Sequence, residues 1–285
     1  MNQKPIKHEG RTPSDTITKE HLKEFIATQD DFALELYAYN LARELGFKVT
    51  HAGSYIDPQT GKARQYDVQA SRACGENFHI YMAIECKALR PSFPLLVSRI
   101  PRIREESFQH IVNTMGKGRA SYMGNAQAQE LSGGASLYPM SEFVGKASSQ
   151  VGFNGEGKLH SKDSEVFEKW GQAIASSNQL ISRAASLNYR IEDTLQSSAV
   201  LPVLVVPDET LWVVDYYGVN DSAEPIQANE AQYFIGSDQK TVGGSFSGTF
   251  TLSHLHIVTK TGLENLLRRF GKDGQDAIFL TNMLS

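Results

Sequence analysis

The stretch Phe78-His-Ile-Tyr-Met-Ala-Ile-Glu-Cys-Lys87 decides how the rest of the chain is read. All but one of its first seven residues are apolar, aromatic or β-branched, the pattern of a strand buried in a core. A carboxylate and an ammonium then follow two residues apart. Side chains two apart on a strand share a face, which predicts Glu85 and Lys87 side by side with Cys86 turned the other way. Buried charges are costly unless they are paired or bind a ligand. The pair needs a reason.

Acidic-x-Lys occurs at Glu85-Cys-Lys87, Glu156-Gly-Lys158 and Asp238-Gln-Lys240. The second lies among glycines and the third in a polar, turn-rich segment, so both read as solvated loops. Only the first ends an apolar strand. Upstream, Arg64-Gln-Tyr-Asp-Val-Gln-Ala70 places Asp67 in a second strand-like run, with Tyr66 and Val68 on its other face. The turn-rich connector Ser71-Arg-Ala-Cys-Gly-Glu-Asn77 predicts a hairpin that brings Asp67 beside Glu85 and Lys87.

An aspartate followed by Glu-x-Lys on an adjacent strand resembles the PD-(D/E)xK nuclease superfamily, with Tyr66 standing where its proline would be. The resemblance implies an α/β, restriction-endonuclease-like core: a mixed central sheet, made of a three-strand meander plus further strands, flanked by helices. It implies a metal-dependent nuclease that hydrolyses phosphodiester bonds, a DNA endonuclease of restriction or defence type. Mg²⁺, or Mn²⁺ in its place, would be held by Asp67, Glu85 and the Cys86 backbone carbonyl. Lys87 would orient or help deprotonate the attacking water. A first-helix acid, here Glu35, would complete the metal site, and a site-facing glutamine would come from the second major helix. Two alternatives stand beside this: an ion pair with no catalytic duty, and a catalytically inactive nucleic-acid-binding or sensor module on the same fold.

Composition bounds the choice. With 285 residues, 40% apolar and 21% charged, the chain has ample material for a core. No apolar run approaches a membrane span and no signal-peptide pattern opens the sequence. Cys74 and Cys86 make neither a disulfide framework nor a zinc pattern, so a cytoplasmic protein is expected. The net charge of −4 does not advertise nucleic acid, yet a nuclease needs only local basicity. DNA is the expected partner ahead of RNA, with a homodimer or a partner subunit supplying recognition. No glycine-rich phosphate loop or Gly-x-Ser-x-Gly turn points to another enzyme class.

Along the chain, residues 1–29 read as an arm with a short helix from Thr18 to Ala27. Asp30 or Asp31 caps a helix that runs to about Leu45 and stops at Gly46, with Leu34, Tyr37, Ala38, Leu41 and Leu45 on its core face. Glu35 lies on the neighbouring stripe with Phe32, Tyr39 and Ala42. Phe47–Gly53, Ala63–Ala70 and Phe78–Lys87 are the expected meander. Arg99, Arg102 and Arg104 are a solvated cluster or a phosphate contact. Glu105–Asn113 is expected as a short helix, and 114–162 as a Gly/Ser-rich insertion over the site with a helical turn near Ala126–Leu131. Asp163 or Ser164 starts a helix to about Ala185, carrying Lys169, Gln172, Ser176, Gln179 and Arg183 on one stripe. Spacing does not choose between Gln172 and Gln179 as the site-facing amide. Ala199–Val206 is a central strand, Leu211–Tyr217 its expected hairpin partner, and 30–217 the expected core. Residues 218–285 form a C-terminal elaboration, in which His254 and His256 read as strand-surface residues.

Overall fold

A computed structural model describes residues 16–29, 31–115, 126–162, 164–186, 195–219, 221–239, 246–247, 249–271 and 273–284. Residues 1–30 and 31–285 are separate units, and helix α1 (Lys19–Gln29) lies in the first. The expectations for residues 1–15 and for Lys240 fall outside the described residues.

The second unit opens with α2 (Asp31–Glu44). It ends as expected at Gly46, whose φ of +83° suits a residue without Cβ, and the Phe47 N–H closes the end on the Ala42 carbonyl at 2.9 Å. Strand β1 (Lys48–His51) follows. The single strand expected over Ala63–Ala70 is two: β3 (Ala63–Gln65) pairs with β2 (Ser54–Ile56) in a small hairpin, and β4 (Val68–Ala73) enters the main sheet. The break falls at Tyr66-Asp67, where the Ala52 N–H donates to the Asp67 carbonyl and the Tyr66 N–H to that of Gly53, both at 2.9 Å. Strand β5 (Phe78–Cys86) returns antiparallel to β4, so β1, β4 and β5 are a meander.

The chain then builds β6 (Leu95–Pro101), β7 (Phe108–Met115), β8 (Ala126–Ser132), β9 (Phe143–Phe153) and β10 (Leu159–Ser161). This corrects two expectations. The helix of 105–113 is one short 3₁₀ turn followed by a strand, and the helical turn near 126–131 is a strand paired with β7. Much of 126–162 is sheet rather than loop because small and amide side chains, such as Ser148 and Gln150, are buried there at strand spacing. Helix α3 (Ser164–Ala185) comes next, then β11 (Leu195–Val206), parallel to β5.

Strand β12 (Leu211–Gly218) is not the hairpin partner of β11: it runs parallel to β6 at the far end of the sheet. After the short pairs β13 (Asp221–Ser222) and β14 (Ile226–Gln227) come β15 (Glu230–Gln239), β16 (Phe246–Ser247) and β17 (Phe250–Thr259). Helices α4 (Lys260–Arg269) and α5 (Gln275–Leu284) complete the fold. The main sheet runs β1-β4-β5-β11-β17-β15-β9-β6-β12-β13, mixed in direction. Strand β17 is parallel to β11 in its middle rather than an outer addition.

One face of the sheet packs on α2, α4 and α5: Leu34, Ala38 and Ala42 meet Val68, Met82, Ile84, Val203, Val205 and Leu266. The other packs on α3 through Tyr81, Ala83, Leu180, Ile181 and Val200, continued by Val166, Ala173, Leu204 and Val206. Strand β11 gives alternate residues to both faces, which is why its sequence is apolar without interruption from Ala199 to Val206. No helix among the described residues is long and apolar enough to cross a membrane.

His254 and His256 are buried rather than on the surface. His254 stacks on Tyr138 with ring centroids 3.8 Å apart. His256 lies between Tyr138 Oη at 3.0 Å and Glu230 Oε1 at 3.1 Å, while Arg269 donates to the same carboxylate at 2.8 Å.

Candidate functional site

Two strand ends set the site. The register pairs Val68 with Ile84. Carried on by one residue, it sets Asp67 opposite Glu85. Odd-numbered β5 residues face α3 and even ones face α2, so Glu85 points to α3 while Cys86 joins the core under α2. Asp67 Oδ2 accepts the Cys86 N–H at 2.8 Å, which locks the two strand ends together.

The cation at this point is Lys169, from the second turn of α3. Its Nζ stands 2.7 Å from Asp67 Oδ2 and 3.7 Å from Glu85 Oε2. Sequence placed Lys87 there instead. Lys87 pairs with Asp31: its ammonium lies 3.4 Å from Asp31 Oδ2, and Asp31 Oδ1 also accepts the Ala88 N–H at 2.6 Å. The first residue of α2 thus ties down the chain as it leaves β5.

Glu85 is wholly buried; its carboxylate lies against Asp67 and within 3.7 Å of the Lys169 ammonium, and among the described residues neither oxygen has a hydrogen bond of normal geometry. Burial, then the charge of Asp67, pushes its carboxyl well above the usual range, with Lys169 pulling back. Burial also opposes the charge on Lys169, but Asp67 and then Glu85 overcome it and hold the ammonium above its ordinary range. The Cys86 thiol is pushed far up by burial and then by the charges of Asp67, Glu35 and Glu85, so it stays a neutral thiol. Cys74 and Cys86 are both free and buried.

Glu35 comes from α2 and pairs with His51 Nε2 at 3.1 Å, at the end of β1. Phe32 and Tyr39 flank that imidazole, each with ring centroids at 5.7 Å. Burial, then Asp67, raises the Glu35 carboxyl, so this acid is within electrostatic reach of the site although its hydrogen bond goes elsewhere. Among the described residues no group of three or more His, Cys, Asp or Glu side chains converges as a metal-ligating set. What converges is two carboxylates and a lysine.

The two glutamines of the α3 stripe have different surroundings. Gln179 is bound into the structure: it accepts from Gln69 on β4 at 3.0 Å and donates to the Ser54 carbonyl at 3.4 Å. Gln172 instead lines an open cleft, together with Tyr55. Tyr55 is almost fully buried, and its phenol is pushed up to about 12 by burial, then by the charges of Glu85 and Asp57. The arginine cluster does not belong here. Arg99 is paired with Asp215 at 2.7 Å, and Arg102 is buried and donates to the Pro139 carbonyl. Strand β6 lies five strands from β5, about 24 Å at ~4.8 Å per strand.

No family model, curated protein or solved structure matches this chain. The chemistry therefore has to be inferred from the residues themselves. Lys169, Asp31, His51 and Tyr55 were missed as site residues in the sequence. One signal was available for Lys169: it falls between Val166 and Ala173, both on the buried stripe of α3, where an unpaired ammonium would be out of place.

Proposed function

We propose that this protein is a metal-dependent phosphodiesterase acting on nucleic acid, with DNA preferred, built on a restriction-endonuclease-like core. The single observation that carries the reading is Glu85. It is a fully buried carboxylate with no hydrogen bond of normal geometry among the described residues, across a strand pair from Asp67 and with Lys169 at its edge. Buried ions without full hydrogen bonding are expensive, and structures keep them chiefly where a ligand or a reaction needs them. The element order of α2, the β1–β4–β5 meander, α3 and a β11 parallel to β5 supports the resemblance, as does the position of the two acids at the paired strand ends.

The donor set fits a hard divalent cation. Mg²⁺ commonly takes one or two carboxylates and leaves its other positions to water and substrate, which is what Asp67 and Glu85 offer. Such an ion supplies neutralisation of the phosphate and a lowered pKa for bound water. Glu35, held by His51, adds negative charge nearby and helps keep a cation in place. Lys169 takes the part that the family signature gives to Lys87. With its ammonium held above the ordinary range it remains charged at neutral pH, so it suits stabilising negative charge on the phosphoryl oxygens better than removing a proton from water.

One observation favours a second reading. Lys169 already lies near both acids, so the set could be a closed ion cluster in a catalytically inactive binding module. Incubation with plasmid, single-stranded DNA and RNA in Mg²⁺, Mn²⁺ or EDTA separates the two. Cleavage of any of them that stops in EDTA supports hydrolysis. Binding without cleavage under every condition supports the inactive module.

A further inference from the structure

A cleft of about 680 Å³ is walled by the β2–β3 hairpin, α3 and the end of β15, and Tyr55 in its wall lies within electrostatic reach of Glu85 and Asp67. Its size suits a single small ligand or one unit of a larger one. The lining is largely neutral and hydrogen-bonding, with the carboxamides of Gln59, Gln172, Asn178 and Gln239 around it. Its charges are already engaged: Asp57 pairs with Arg64 at 2.6 Å, and Asp238 accepts the Thr251 hydroxyl at 2.7 Å. Phosphate recognition asks for surplus positive charge, which this lining lacks. Carboxamides, each with a donor and an acceptor side by side, match the edge of a nucleobase.

A second observation points to a missing ligand. Tyr55 is 3% exposed and lines the cleft, and its hydroxyl, sealed from solvent, has no hydrogen-bond partner among the described residues. A buried phenol normally finds one. A third observation links cleft and acids: Lys169 and Gln172 are three apart on α3, on one face and about 4.5 Å along the axis. One helix therefore presents an ammonium to the acid site and, one turn on, an amide to the cleft.

We propose that the cleft holds one unstacked nucleobase of the nucleotide next to the phosphodiester bound at Asp67 and Glu85. The preferred substrate is then a single strand, or a duplex position whose base is already extruded. This inference rests on the nucleic-acid reading of the acid site. In the cleft, Gln172 reads the base edge, and a turn of the Tyr55 ring brings its sealed hydroxyl to the base as a partner.

The test uses the full chain carrying Glu85→Gln, to hold cleavage off, and a fluorescently labelled single strand of about ten nucleotides, within the usual span of single-strand sites. A series in which one base at a time is removed to leave an abasic sugar is titrated against it. We expect one abasic position to weaken binding at least tenfold. Adding Gln172→Ala should weaken the intact strand by a similar factor and erase the abasic penalty. Tyr55→Phe, which removes only the hydroxyl, should weaken binding at the same position and serves if Gln172→Ala does not fold. A flat abasic scan, or no binding of any strand, overturns the base site. The two readings fail separately. A flat scan with Asp67-dependent cleavage by the native protein removes only the base site. A stepped scan with no cleavage removes only hydrolysis.

Discussion

Lys169→Met removes the ammonium that stands near both strand-end acids while keeping most of the length of the side chain. At an effective dielectric near 20, unit charges 2.7 Å apart attract by about 6 kcal/mol and those 3.7 Å apart by about 4.5 kcal/mol. Desolvation of the groups offsets much of that. Breaking buried pairs by deleting one partner costs about 3–5 kcal/mol, and we expect a loss in that range at pH 8. The pH dependence has a definite sign. The Glu85 carboxyl is raised, so its protonated form favours the fold and its ionised form opposes it. Stability is therefore lost as pH rises through the raised value, and without Lys169 to pull it back the loss should be steeper. The variant should lie closer to the native protein at pH 5 than at pH 8. If Asp67 and Glu85 hold a divalent ion, Mg²⁺ at about a hundred times its dissociation constant returns about 2.7 kcal/mol to the variant. Urea unfolding at both pH values, with and without Mg²⁺, reads all three effects. A variant as stable as the native protein at pH 8, or one that Mg²⁺ does not rescue, would refute the account of Lys169 as the cation that makes the acid pair tolerable.

Three further outcomes follow. Lys87→Ala breaks the pair with Asp31, whereas Lys169→Ala removes the ammonium beside Asp67 and Glu85, so Lys87→Ala should retain far more cleavage in the same assay; an equal loss would return the catalytic role to Lys87. Gly53→Ala puts a methyl group 2.1 Å from the Tyr66 hydroxyl, which Thr50 holds at 3.1 Å. Displacing Tyr66 moves the adjoining Asp67, so cleavage should fall at least tenfold for about 1–3 kcal/mol of stability, since ~1 Å of misplacement can cost about 10²-fold; unchanged kinetics would show that the site tolerates the shift. Glu230 is remote from this chemistry: burial raises its carboxyl, but His256 and Arg269 outweigh it and bring it from 4.5 to about 2. Its contribution is full above pH 4.5 and is lost as pH falls toward 2, so Glu230→Gln should cost about 3 kcal/mol at pH 7 and leave Mg²⁺ binding unchanged, which thermal unfolding and calorimetry check.

The meander, α2, α3 and β11 were legible because their periodicities are clean: apolar runs in β5 and β11, helical spacing around Val166 and Ile181. Asp67 and Glu85 were legible because strand alternation and hairpin pairing are local rules. Lys169 was not, since its place depends on how α3 crosses β4 and β5, and no local spacing encodes that. On a helix it looked like one donor in a solvated stripe. Strands β7 to β9 were hidden for another reason: Gln109, Asn113, Ser148 and Gln150 are buried polar side chains, so their strands lack the apolar alternation that marks a core. His254 and His256 were misplaced because a buried ion network looks, in sequence, like an exposed polar strand.

The most direct measurement of the central claim is the cleavage rate of supercoiled plasmid and of single-stranded DNA as a function of Mg²⁺ concentration, for the native protein and for Glu85→Gln. The substitution keeps the volume of a wholly buried side chain and removes only its charge. The account predicts that the native protein cleaves, with a rate that saturates in Mg²⁺ and vanishes in EDTA. It also predicts that Glu85→Gln is folded, at least as stable without metal, and inactive at every Mg²⁺ concentration. A Glu85→Gln protein that cleaves as fast as the native one, or a native protein that cleaves neither substrate at any Mg²⁺ concentration, would contradict it.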